Sequence, residues 1–439
     1  MMSPELVTIL MFVSFFLLLA LGVPLAWTTG GLGLFFSFVL WGPDSLSIVV
    51  LRVWDVMGSF SMIAIPLFVF MGNLLQRSGI AHDLFKAFQV WIGGIRGGVA
   101  AATIVLCTIL AAMIGTVGAD VTITGLIALP FMLERGYNKH MALGSIVAGG
   151  ALGVLIPPSI MFIIYGVTVG ESIGKLFMGG IGPGLLFGGL YIGYILVRCY
   201  IRPEDGPAAP EAEWRVPIKE KILLFKSLVL PMLLILGVMG SIFGGVATPG
   251  EAAGVGAFGA VICAAIRRQL TRENLLMSLY DTMKTVGLIL WIVFGAMVFI
   301  ATYTLAGGAE FVKSALVALP LNPWLVLIII QVILLFLGMV LDIIGITVLL
   351  APIFVPVIKS LGFDPLWFGV LFNLNLQIAY LSPPFGYSMF YLKAVAPPDV
   401  SMTDLYRSVV PYMILQIIGM VLCMIFPQII LWLPNMMMK

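Results

Sequence analysis

The chain has 439 residues, 61% of them hydrophobic and 10% charged, with a mean hydropathy of +1.16 and a net charge of +2. A soluble protein of this size could not hide so much apolar surface, and so small a net charge excludes nucleic acid as an electrostatic partner. Apolar runs of the ~20 residues that a spanning helix needs recur from end to end, without the alternation of a membrane barrel, so the chain reads as an all-α polytopic membrane protein.

The opening "MMSPELVTILMFV" has no basic stretch before its apolar run and is expected to be a first spanning helix rather than a cleaved signal. Helices are expected near 5–23, 25–41 and 61–76, then a polar stretch near 77–97 and an interrupted segment 98–134. A broken helix 141–168 and a helix 176–198 follow. The segment 199–226 is rich in Pro, Ala and charge and reads as a linker loop. Further helices are expected at 227–243, 246–266 and 285–306, then a stretch 307–322, a segment 323–358, a broken helix 366–395 and a helix 408–434. The cysteines Cys107, Cys199, Cys263 and Cys423 have no metal or redox spacing and are expected to pack, and His82 and His140 fall in polar connectors.

The second series repeats the first. Pro157-Pro158 and Pro383-Pro384 stand 226 residues apart, and the same offset pairs Pro130 with Pro356, Gly136-Tyr137 with Gly362-Phe363, and Tyr165 with Tyr391. The chain therefore divides into a first repeat 1–198, the linker, and a second repeat 227–434. Lys and Arg cluster in the linker (Arg198 to Lys226) and at Arg267, Arg268 and Arg272, while the turn "GGVATPG" is uncharged, so linker and connector are expected on the cytoplasmic side. Arg77, Lys86, Arg96, Arg135 and Lys139 join them if 98–134 enters and leaves on one face. Each repeat then holds five crossings and one re-entrant hairpin. Five is odd, so the second copy is inverted, giving about ten full crossings plus two hairpins. Two ordinary helices in each of 98–134 and 323–358 is the other reading, and it would bring Asp120 and Asp342 to a membrane surface.

Adjacent prolines break a membrane helix, freeing carbonyls and exposing half-helix ends. Paired broken helices in an inverted repeat point to a secondary transporter, whose carbonyls hold a cation and whose helix starts favour anionic groups. The tips "IGTVGAD" and "VLDIIGI" lie close to register, with Thr116 opposite Asp342 and Gly118 opposite Ile344. Asp120 and Asp342 are ionisable residues in apolar surroundings, where such residues mark function. Thr116, Gly118, Asp120 and Asp342 are accordingly the expected substrate-binding residues. Glu251 is expected only to begin a helix. The connectors "AHDLFKAFQVWIGGIR" and "GGAEFVKSALVALPLN" mix charge with apolar residues and can lie at the interface, as arms of a frame (5–76 and 227–306) that holds the hairpins and broken helices.

The runs "GLIALPFMLERGYNKHMALGSIVAGGALGVLIPPSIMFIIYG", "SIGKLFMGGIGPGLL", "GGVATPGEAAGVGA" and "LGFDPLWFGVLFNLNLQIAYLSPPFGYSMF" carry a resemblance over essentially the whole chain. It resembles the large membrane (M) subunit of tripartite ATP-independent periplasmic (TRAP) transporters. That resemblance implies an elevator-type, sodium-coupled uptake system of the bacterial inner membrane for a small organic acid. A small membrane subunit, a periplasmic substrate-binding protein and the lipid bilayer are its implied partners, and no cofactor is implied beyond the coupling Na+. It implies one Na+ site from Thr116 with carbonyls around Gly153, Ile156 and Pro158, and another from Ser382 with carbonyls near Ala379 and Phe385. Two positions depart from many relatives: the first tip is not serine-rich, and Ser382 stands where a threonine is common.

Competing functions fit less well. Two histidines cannot build the helical zinc motif of a protease or a serine–histidine dyad, and an aspartyl dyad from Asp120 and Asp342 would need both at one place. A channel filter loop and a nucleotide-binding motif are absent from the sequence, so an ion gradient or a partner supplies the energy. Hydroxyl- and carbonyl-rich sites favour sodium over proton coupling, which needs a titrating group.

Overall fold

A computed structural model describes residues 2–437, apart from the side chains of Ala212 and Ser227. Every regular element among them is helical. Inside a bilayer, backbone N–H and C=O groups must pair internally, and a chain this apolar satisfies them with helices. The first half opens with α1 (Pro4–Ala20), α2 (Leu25–Trp41), α3 (Leu46–Met57) and α4 (Ala64–Arg77). Helix α5 (Ile80–Ile92) leads into a hairpin of α6 (Gly98–Ile114) and α7 (Val117–Glu134). Helix α8 (Lys139–Gly150) ends in a 3-10 turn, the chain resumes as α9 (Ile160–Val169), and α10 (Ile173–Ile201) follows. A short α11 (Glu211–Trp214) lies in the connection to the second half.

The second half contains α12 (Ile218–Phe243), α13 (Pro249–Ile266), α14 (Arg272–Leu305) and α15 (Gly308–Val317). A second hairpin, α16 (Pro323–Gly338) and α17 (Ile343–Ser360), precedes the broken pair α18 (Pro365–Leu381) and α19 (Tyr387–Val395). Helices α20 (Met402–Ile425) and α21 (Gln428–Met436) end the described chain. Helices α17 and α18 begin 226 residues after α7 and α8. Both Pro-Pro pairs interrupt helices with cis bonds, and Gly136 and Gly362, just past α7 and α17, share a left-handed backbone (φ 75° and 82°).

The elements differ in places from those expected. Helix α3 fills a stretch where none was foreseen; it is short, and Arg52 and Asp55 pair on it at 3.6 Å, so it lacks the look of a span. The polar stretch 77–97 is largely helix α5, which buries Ile80, Leu84 and Phe85. The linker is shorter than 199–226, because α10 runs to Ile201 and Pro217 sits at the N-cap of α12, so that "IKEKILLFK" forms that helix's first turns. Helix α14 starts at Arg272 rather than 285, capped by Thr271, and its 34 residues span about 50 Å at 1.5 Å per residue. The last expected helix is two, divided at Phe426-Pro427. Glu251 closes a capping box with Thr248, the helix start expected of it. The four cysteines are free and buried.

Packing exchanges the halves. Helix α2 lies along α14, as α13 lies along α4, and α9 packs on α17 as α19 packs on α7. The α2–α14 crossing is close because it uses small residues: a Cβ on Gly33 would sit 2.7 Å from the Phe299 nitrogen, and the Thr302 hydroxyl donates to the Gly33 carbonyl at 3.0 Å. Helices α8 and α18 are buried along nearly their whole length and form the centre around which the hairpins pack. One belt of polar contacts gathers several helix ends on one face. Arg77 pairs with Asp281, Arg267 with Asp83, Arg135 with Glu213, Arg198 with Asp205 and Lys139 with Asp404. The start of α6 joins that face through the Gly97 N–H, which donates to Gly206.

Candidate functional site: a cavity between the hairpin tips and the α4–α14 wall

The first hairpin turns at Gly115 and Thr116. Gly115 adopts φ +66°, and a Cβ there would lie 2.5 Å from the Pro158 carbonyl oxygen, so only glycine lets the tip approach the first helix break this closely. On the other side of the turn, a Cβ on Gly153 would sit 3.5 Å from the Thr116 carbonyl carbon. The structure thus brings Thr116, Gly153 and Pro158 together. The Ile156 and Pro158 carbonyls accept no hydrogen bond among the described residues, whereas Val154 accepts one from the Ser159 hydroxyl at 2.6 Å. Thr116 is the N-cap of α7, yet its side chain makes no capping bond.

The second tip differs. Asp342 caps α17, accepting from the Ile344 N–H at 2.9 Å. The second break begins at Ser382, fully buried, whose hydroxyl donates to the Ile378 carbonyl at 2.8 Å and whose N–H donates to Ala379. A Cβ on Gly338 would meet that of Ala379 at 2.5 Å, so the second hairpin presses on this break as the first presses on its own. Phe385 is exposed, and the Pro384 carbonyl beside it accepts from the Tyr406 hydroxyl at 2.8 Å.

A cavity of about 560 Å³ joins these parts. It is lined by Gly115 to Ala119 and Thr122 of the first hairpin, Gly153 of the first break, Asp342 to Ile344 of the second tip, and Tyr380 and Tyr391 of the second broken pair. The opposite wall is Asn73 and Gln76 on α4 with Asp281, Lys284 and Thr285 on α14. Asn73 donates to the Thr282 hydroxyl at 3.0 Å, and Arg77 pairs with Asp281. The Tyr391 ring covers Gly118, where a Cβ would lie 3.0 Å from it.

Of the expected substrate residues, Thr116, Gly118 and Asp342 line the cavity. Asp120 does not: it is fully buried behind the tip, with one oxygen 3.4 Å from the Thr124 hydroxyl and the other without a partner among the described residues. The cavity therefore holds one of the two aspartates. Of the expected cation ligands Gly153 and Thr116 line it, while Ile156, Pro158, Ser382 and Phe385 sit in the two breaks and Ala379 in the last turn of α18. Sequence reasoning missed Lys284, Asn73, Tyr380 and the α14 wall. The signal was present in "DTMKTVGLILWIVF", where an acid and a base stand at the edge of an apolar run.

Residues 12–429 match the family described as tripartite ATP-independent periplasmic transporter, DctM component. The chain is 30% identical over 400 residues to the C4-dicarboxylate TRAP transporter large permease protein DctM of Pseudomonas aeruginosa, covering 91% of this chain and 92% of that protein. It is 34% identical over 381 residues to the ectoine/5-hydroxyectoine TRAP transporter large permease protein UehC of Ruegeria pomeroyi, covering 86% of each. Its fold is similar to that of the YdaH transporter of Alcanivorax borkumensis, with a TM-score of 0.66 at 16% identity over 88% of this chain and 90% of that one. This multi-pass inner-membrane protein belongs to the DctM family, the large permease component of TRAP transporters.

Proposed function

We propose that the chain is a sodium-coupled carrier that takes a small organic acid from a periplasmic binding protein, in a membrane complex with a small TRAP subunit. The cavity carries this reading, because both hairpin tips and the first break meet a separate helical wall there. Sodium is supported by the donor set. Thr116 with the Gly153, Ile156 and Pro158 carbonyls forms one site, and Ser382 with the Ala379 and Phe385 carbonyls the other; neutral oxygens of this kind suit a small hard cation.

The exchange of partners between halves supports an inverted repeat, with the α2–α14 and α13–α4 crossings as frame and the hairpins with the broken helices as the moving unit. The basic belt marks the cytoplasmic face. Asp281 lines the cavity and belongs to that belt through Arg77, so the cavity faces inward. The frame and the moving unit touch backbone to backbone at Gly72, where a Cβ would lie 2.8 Å from the Ile114 Cα. Gly72 is what allows this close approach.

The test joins Thr122→Cys on the first hairpin to Thr285→Cys on the opposite wall with a spanning crosslinker, in membranes that contain the complete complex. Crosslinked protein is expected to lose uptake and regain it on cleavage of the linker. Full-rate uptake while crosslinked would remove the sliding motion.

A further inference from the structure

We infer that the solute this cavity accepts is dipolar, carrying a carboxylate and a cationic nitrogen, and is not a dicarboxylate. This rests on the transport reading and adds the substrate's charge pattern to it. Three charged side chains line the cavity: Asp281, Lys284 and Asp342. Asp281 is neutralised by Arg77. Lys284 and Asp342 form no ion pair among the described residues. They stand on different bodies, Lys284 on α14 and Asp342 at the tip of the second hairpin.

The surroundings of the two charges differ in chemistry. Asp342 shares the cavity with Tyr380 and Tyr391, and an acid beside aromatic rings is a setting that suits an ammonium or amidinium group. Lys284 shares its side of the cavity with Thr285, a donor set for a carboxylate. A dianion could place one end at Lys284, but its other end would then share a small cavity with an uncompensated carboxylate. Like charges held together in this way discriminate against a ligand more strongly than any single contact favours one. A dipolar solute meets opposite charge at both ends.

The test uses the purified complete chain at one fixed sodium concentration, so that the coupling ion drops out of the comparison. The probes are 4-aminobutanoate and succinate, which are close in size and differ by an ammonium in place of one carboxylate. Affinity is read from the rise in thermal-unfolding midpoint with solute concentration. The expected result is at least about tenfold tighter binding of 4-aminobutanoate. Asp342→Asn keeps an N-cap residue, so the fold is retained, and it should bring the two affinities together by weakening 4-aminobutanoate and strengthening succinate. Lys284→Gln should weaken both. Equal or tighter binding of succinate by the unaltered protein overturns the inference, as does an unchanged ratio in Asp342→Asn or binding of neither probe. A separate sodium titration without solute that leaves the midpoint unmoved would count against the transport reading instead.

Discussion

Thr116 and Asp342 occupy equivalent places, 226 residues apart, and each stands at the N-cap of the second helix in its hairpin. Only Asp342 uses its side chain for the cap. The first tip therefore presents an open helix start, a free hydroxyl and a glycine turn pressed against the Pro158 carbonyl. The second presents a carboxylate already engaged with its own backbone. The two equivalent tips carry different chemistries: one leaves its helix start and hydroxyl uncapped, and the other engages an acid in its own helix cap. The breaks follow the same division. Among the described residues the Ile156 and Pro158 carbonyls accept no bond, whereas Ala379 and Pro384 accept bonds from Ser382 and Tyr406.

The sharpest way to break this comparison is Gly115→Ala. A Cβ at φ +66° and 2.5 Å from the Pro158 oxygen must push the tip away from the break, at a backbone cost of about 1–3 kcal/mol before any lost ligand. Sodium-dependent uptake should fall by about tenfold or more, with a raised sodium half-saturation. An unaltered sodium curve would separate the first tip from cation binding. Ser382→Ala is the milder counterpart at the second break. Losing one neutral oxygen among several should cost about 1 kcal/mol, or roughly fivefold in sodium half-saturation. The Ser382 hydroxyl also donates to Ile378, so the same change should loosen the end of α18 slightly. Sodium titration of uptake in the variant decides it: no change would mean that the hydroxyl serves the helix alone.

Much of this is legible in the sequence, and for a physical reason. Proline pairs, glycine turns and hairpin boundaries act through the backbone, and backbone chemistry can be read from residue type; Pro157-Pro158 and Pro383-Pro384 located both breaks. Residues whose role depends on what stands opposite were not legible. Lys284 and Asn73 belong to helices that looked like plain frame, and only packing turns them towards the tips. Asp120 shows the converse: its acidity in an apolar stretch marked it, but one turn of α7 beyond Thr116 carries it behind the tip into the core. Tyr191, Gln377 and Gln416 are fully buried, and both amide side chains approach the Tyr191 hydroxyl. Their meeting from three separate helices had no sequence signal at all.

The smallest expected effect tests the capping difference itself. Asp342→Ala removes the acceptor for the Ile344 N–H and leaves a helix start without its cap, which costs about 1 kcal/mol. Thr116→Ala removes no capping bond, because Thr116 makes none, and its cost to folding should be no more than a few tenths of a kcal/mol. For a chain of 439 residues the first change moves the unfolding midpoint by only about 1–2 °C, so the two variants must be measured side by side in the same detergent and without sodium. Sodium should then reverse their order of severity. Thr116→Ala should lose the share of sodium-induced stabilisation that comes from the proposed first-tip site, and Asp342→Ala should keep it. Equal loss of baseline stability in both variants would show that Thr116 caps α7 after all. The two tips would then be copies in chemistry as well as in chain position.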